Sequence, residues 1–262
     1  IPIVRLLQQE EIIVQAEMAG LIFPNFCLTI PVPVHFFLKK ADLKAVEYLF
    51  AICTRGGTQS DAFNYINEIV KPQGKRLNAQ LNITMPWNHP LGKENVIERN
   101  EPEKVIALDE KMREKVDLFS EVLRNEADYT IADTEADYNI PAWINWLFGA
   151  LLSHSMNYQL HEHSYQNLIR FYADDTCNGC SICEKVCLSR RITMEKNKPI
   201  WQTESKCYAC FACINFCPQK AIQIENRFLV DSHTPENPRY HHESVTYQDI
   251  AKQSQEMSEG KV

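Results

Sequence analysis

Between Cys177 and Cys217 the chain uses one pattern twice. Cys177, Cys180, Cys183 and Cys187 follow C-x2-C-x2-C-x3-C, and Cys207, Cys210, Cys213 and Cys217 follow it again, shifted by 30 residues throughout. This is an internal duplication. It holds eight of the ten cysteines of a 262-residue chain. Thiols three residues apart on a tight loop suit a shared metal centre better than paired disulfides, and disulfide scaffolds are usually much smaller.

Three cysteines at this spacing wrap one face of an iron–sulfur cubane. The fourth lies on the following helical turn, points the other way and ligates the cluster held mainly by the other repeat. The expected ligand sets are therefore Cys177, Cys180, Cys183 and Cys217 for one [4Fe–4S] cluster, and Cys207, Cys210, Cys213 and Cys187 for a second. Structural zinc takes four ligands, usually as two pairs separated by a long loop, and fits this spacing poorly. After the first set, Arg191 to Trp201 reads as a hairpin turning near Asn197; after the second, Ala221 to Asn226 reads as a strand. Ile182, Ile192, Phe211, Ile214, Phe216 and Ile222 are the expected shield against water. One departure from the repeat stands out: Pro218 follows Cys217, but Leu188 follows Cys187.

The rest of the chain has a different texture. Strand patterns at Ala19–Pro24, Val46–Cys53 and Arg76–Met85 alternate with helical patterns at Pro33–Lys40 and Ser60–Val70. Pro72 and Gly74 stop the second helix. A further helix follows Asn100, Pro102 and Glu103, read as N-cap, first helical residue and capping-box partner, with Val105, Leu108, Met112, Val116, Phe119 and Leu123 on one face. Alternation of this kind implies a parallel sheet with helices on both faces. The opening, Ile1 to Leu7, reads as a strand already under way, so a preceding segment is expected. Domains are expected at 1–140, at 141–172 as a connector with a helix from Trp143 to about Tyr158, at 173–226 for the cysteines, and at 227–262 as a polar tail wrapping the surface or partly mobile.

The formal net charge of -7 argues against nucleic acid or an anionic membrane as the main partner. The most apolar run, Pro141–Leu152, falls well short of the roughly 20 residues a spanning helix needs. Two oxidised clusters would each add about -2, giving roughly -11, so basic docking patches are expected on redox partners. Thiolate ligands favour a reducing, oxygen-poor setting, the cytoplasm of an anaerobe.

Taken together, "GLIFPNF", "YLFAICTRGG", "MPWNH", "CINFCPQKAI" and "RYHHESVTYQDI" make the chain similar to fusions of a flavodoxin-like domain with a dicluster ferredoxin, the EFR-type iron–sulfur flavoproteins of anaerobes. The resemblance implies a doubly wound α/β flavodoxin-like sheet joined to an α+β bacterial-type 2[4Fe–4S] ferredoxin domain, with FMN at the carboxyl ends of the strands. Those ends are Pro24–Thr29, Thr54–Ser60 and Pro86–Pro90. On this likeness Pro24, Asn25, Phe26, Thr54, Arg55, Gly56, Gly57 and Trp87 are the expected flavin contacts, with Phe26 and Trp87 beside the ring. The family's first strand and Ser/Thr/Gly-rich phosphate loop have no counterpart here, so the sheet is expected to be N-terminally incomplete.

The implied role is electron transfer between two clusters and FMN. The alternatives are a flavin-dependent reductase fed by its own ferredoxin domain, and a subunit of a larger redox complex whose flavodoxin-like domain only docks. Cys27 and Cys53 are expected as buried small apolar residues, and His161, His163, His241 and His242 as surface residues.

Overall fold

A single turn of helix, α1 (Ile3–Leu6), opens the chain where a strand was expected. The turn closes its own backbone bonds, Arg5 N–H to Pro2 O and Leu7 N–H to Ile3 O, both at 3.0 Å, and it is held from the far end of the sequence, where Arg5 Nε donates to Gln253 O at 3.2 Å and Nη2 to Lys252 O. The computed structural model describes residues 1–26, 28–57, 60–89, 100–131, 169–226 and 236–254. Cys27, His161, His163, the apolar run Pro141–Leu152 and the helix expected from Trp143 lie outside the described residues. Two compact units emerge. One comprises Glu10–Pro86 with Asn100–His163, the other Ile1–Gln9, Trp87–Arg99 and Ser164–Val262.

The first unit is a parallel α/β structure. A short strand β1 (Ile12–Ile13) pairs in parallel with β3 (Ala41–Asp42). Strands β2 (Met18–Pro24), β4 (Tyr48–Arg55) and β5 (Ala79–Thr84) form a parallel sheet in the order β2-β4-β5. Both crossovers step the same way across the sheet, so their common right hand places α2 (Val32–Lys40) and α3 (Ala62–Val70) on one face. That face buries Leu21, Phe23, Leu49, Ala51 and Cys53. On the other face α4 (Pro102–Arg124) drives Phe119, 2% exposed, into Tyr48, Ala79, Leu81 and Ile83. Phe50 also packs there, its ring lying so close over Gly20 that a Cβ would come within 2.1 Å of Phe50 Cζ. Strand order runs one way among the described strands, without the reversal that makes a switch point.

One local expectation needs correction. Pro102 does open α4, but Glu101 rather than Asn100 occupies the N-cap, and no side-chain cap bond forms. The described part of the polar stretch after the helix runs exposed along the sheet edge and is pinned there: Tyr129 bridges Ala79, Gln80 N–H donates to Tyr129 O at 2.9 Å, and Tyr48 Oη donates to Ala127 O at 2.6 Å.

The second unit carries the cysteines. Strand β6 (Ile169–Ala173) pairs antiparallel with β9 (Ile222–Asn226). Between them lie two four-residue helices, α5 (Ile182–Lys185) and α6 (Ala212–Asn215), and the hairpin β7 (Ile192–Glu195) with β8 (Lys198–Trp201). The hairpin turns at Lys196 and Asn197, both left-handed at φ 48° and 62°, the two-residue arrangement that matches strand twist. The described tail is docked rather than loose. His241 stacks on Phe216 with centroids 4.6 Å apart, and α7 (Tyr247–Ala251), closed by a Thr246–Asp249 capping box, packs against α5. Among the described residues no helix is long and apolar enough to cross a membrane.

Candidate metal centres

The duplication in sequence is also a duplication in backbone. Left-handed residues recur at a spacing of 30: Gly179 with Ala209, Ser181 with Phe211, and Arg190 with Lys220. Hydrogen bonds recur too. Arg190 N–H donates to Cys187 O at 2.9 Å, and Lys220 N–H to Cys217 O at 3.1 Å. Leu188 therefore leaves the turn after Cys187 intact although Pro218 stands in its place in the second copy. At Gly179 a Cβ would lie 2.9 Å from Asn197 Cβ and O, because the hairpin turn presses on this loop; at the matching position Ala209 carries its methyl.

These loops fold the cysteines into two pockets. One is lined by Cys177, Cys180 and Cys183 of the first copy and by Cys217 of the second, with Ile182, Met194, Ala221 and Ile222 around them. The other is lined by Cys207, Cys210 and Cys213 of the second copy and by Cys187 of the first, enclosed by Phe171, Val186, Ile192, Trp201 and Phe211. Each pocket thus draws three thiols from one copy and one from the other. Of the expected shield, Ile192, Phe211, Ile214 and Ile222 are buried, while Ile182 and Phe216 are half-buried.

Burial pushes the Cys183 thiol up to about 12, and Cys177, Cys180 and Cys217 add repulsion against its ionised form. Burial likewise pushes Cys210 up to about 12, with Cys207 and Cys187 beside it. Cys213 and Cys207 are raised for the same reason. Crowded thiols in a dry pocket resist becoming thiolates unless metal cations neutralise them, so the donor set fits a metal centre. Backbone amides already point at sulfur: Ala209 N–H donates to Cys207 Sγ at 3.4 Å and Ala221 N–H to Cys217 Sγ at 3.3 Å. Among the described residues no three His, Cys, Asp or Glu side chains converge on a single-ion site. A cubane asks for something else, since each thiolate binds a different iron and the four sulfurs stand apart around a common centre.

Arginines at these pockets escaped the sequence reading. Arg191 lines the second pocket at 8% exposure. Arg239, from the tail, donates to Ile214 O at 3.0 Å, Lys220 O at 2.6 Å and Ile222 O at 2.9 Å, near Cys217. One signal for Arg191 was visible: the 30-residue shift sets it against Ala221, a mismatch of charge and size directly before the matching strand residues Ile192 and Ile222.

The expected flavin contacts divide between the units. The register pairs Pro24 with Thr54, which brings Pro24, Asn25 and Phe26 beside Thr54, Arg55, Gly56 and Gly57. Asn25 N–H already donates to Thr54 O at 2.6 Å and Phe26 N–H to Thr29 O at 3.0 Å; Arg55 is buried, and Gly57 takes φ 101°, a conformation that suits glycine. Trp87 belongs to the cysteine unit, where its indole N–H donates to His89 O at 3.1 Å. Cys53 is fully buried, with its Sγ 3.8 Å from Ser60 Oγ. His242 Nδ1 lies 2.7 Å from Ser244 Oγ.

No curated protein and no solved structure matches the chain. Residues 176–222 match the family model of the 4Fe-4S dicluster domain, and a 4Fe-4S dicluster ferredoxin domain therefore occupies this part of the chain.

Proposed function

We propose that the protein carries single electrons, with one [4Fe–4S] cluster held by Cys177, Cys180, Cys183 and Cys217 and a second held by Cys207, Cys210, Cys213 and Cys187. The reading rests on the crossed gathering of thiols, three from one copy and one from the other in each pocket. When bound, the clusters supply one-electron redox chemistry at low potential. The chain's own residues set the conditions. Ile192, Phe211, Ile214 and Ile222 keep water from the sulfur ligands, and the amides of Ala209 and Ala221 place partial positive charge against them. Pooling ligands across the copies also links the two pockets through shared backbone, each holding one cysteine of the other's copy.

The parallel sheet of the other unit is proposed as flavodoxin-like, with FMN at the adjoining ends of β2 and β4. The support is the resemblance in sequence together with the pairing of Pro24 and Thr54, which sets the two loops side by side. Partners presenting basic surface suit a chain of net charge -7. The deciding measurement is anaerobic quantification of iron, sulfide and flavin on the full chain. About eight irons per chain are expected; zinc, or four irons after full reconstitution, would overturn the two-cluster assignment. Absence of flavin would remove FMN from the reading and leave the clusters untouched. Cys217→Ser should extinguish the EPR signal of the centre that Cys177 also serves. Loss of the other centre would refute the crossed ligation.

A further inference from the structure

Among the described residues that line the two pockets, the 30-residue shift sets one charged side chain against an uncharged one. Ala221 lines the first pocket and Arg191 lines the second, at equivalent places directly before the strand residues Ile222 and Ile192. No charged side chain lines the first pocket among the described residues. Arg191 is only 8% exposed, and its Nε and Nη1 have no hydrogen-bond partner. Its guanidinium is buried within electrostatic reach of Cys207, Cys187 and Cys213, three of the four thiols of that pocket. An unpaired buried cation is strongly unfavourable, so this one is tolerated where an anion fills the pocket beside it.

Arg239 reaches the first pocket only from outside its lining. It stands near Cys217 and its buried Nε also has no hydrogen-bond partner, but its Nη atoms are committed to the carbonyls of Ile214, Lys220 and Ile222 and to Gln223 Oε1, and the Asp174 carboxylate is close enough to offset part of its charge.

Resting on the ligand sets proposed above, we propose that Arg191 is a positioning residue that makes the two clusters unequal: its guanidinium directs Nε–H and Nη1–H at the second cluster and raises that cluster's potential above the first. One electron leaving the first centre for the second lowers the charge in the Arg191 pocket by one unit and raises it in the other, with no proton moved. A fixed cation on the receiving side favours that direction, so a singly reduced chain holds its electron on the second cluster.

The test is an EPR-monitored anaerobic redox titration of the full holoprotein and of Arg191→Gln. The second centre is identified as the one disturbed in Cys210→Ser. Arg191→Gln should lower the midpoint of the second centre and leave the first in place. Eight irons with both midpoints unmoved, or with the first moved instead, overturns the role of Arg191 alone. A wild-type chain that cannot hold two clusters overturns the ligation reading and this proposal with it. If Arg191→Gln loses the second cluster, Arg191→Lys decides: it keeps the charge and gives up the two directed N–H groups, so its second midpoint must fall, and an unmoved midpoint overturns the proposal. Loss of the second cluster from both variants also overturns it, because the role is then purely structural.

Discussion

The two units hold themselves together by different means. In the parallel unit, strands of six to eight residues are sandwiched between helices, and Phe119, Ile66, Leu38 and Ala51 are almost wholly removed from water. In the cysteine unit α5 and α6 have four residues each, far below the length at which a helix stands by itself, and the strands have four or five. Its centre is lined by thiols that burial and mutual repulsion hold in their neutral form. One unit is folded by hydrocarbon; the other joins a small apolar core, with Val186, Ile214, Ile222 and Ile224 buried, to a lining of thiols that suits bound metal. The expectation that follows is a chain with one part whose stability is indifferent to metal and one part whose stability draws on metal binding.

The largest test of that contrast is removal of iron by anaerobic chelation. The cysteine unit should lose its tertiary near-UV signal and become protease-sensitive, while the parallel unit keeps a cooperative thermal transition. A single transition shifted as a whole would break the comparison. Next in size, Phe119→Ala should weaken the parallel unit by about 3 kcal/mol or more, read as a lower midpoint for its own transition with iron content unchanged. Gly179→Ala should then weaken the cysteine unit by about 1–3 kcal/mol, since a methyl there meets Asn197 at φ +73°, whereas Ala209→Gly at the matching position should be nearly neutral. Thermal release of iron measures both.

The smallest effect concerns Asp128. The Arg76 guanidinium, 2.7 Å away, and the Asn78 side-chain amide hold its carboxyl below the ordinary value of 3.8. A depressed acid stabilises the fold above its unfolded value, and that contribution is lost as pH falls through the folded value. Asp128→Asn should therefore lower the transition of the parallel unit slightly at neutral pH, and the gap from wild type should close below 3.8. The chelated chain is the sample for this measurement, because the acid-sensitive metal centres are then absent.

Much of the cysteine unit could be read directly, because ligand spacing is a local property. Each C-x2-C-x2-C-x3-C set and the hairpin at Asn197 span about ten residues, and the duplication shows by matching one short set against the other at a fixed shift. Strands β2, β4 and β5 were legible from apolar runs for the same reason. What stayed hidden depended on distant partners. Ile3 to Leu6 has the composition of a strand, and its helical turn is anchored by Arg5 meeting the carbonyls of Lys252 and Gln253, 247 and 248 positions away. Tyr129 joins the sheet edge through hydrogen bonds to Asn78 and Gln80 that no local pattern announces. Arginine is ordinarily a surface residue, so neither Arg191 nor Arg239 drew notice beside the cysteines.

The docked tail bears on how this domain can be excised for study. A fragment cut to the duplicated segment alone would begin after β6, stripping β9 of its ladder, and would end before Arg239, leaving the carbonyls of Ile214, Lys220 and Ile222 without their clasp. Arg190 would also lose Ser254 O, 3.1 Å away in the whole chain. Keeping these contacts takes a piece that starts upstream of Ile169 and continues through Ser254, a little over twice the span of the metal ligands, and even that gives up the bonds of Arg5 to the carbonyls of Lys252 and Gln253.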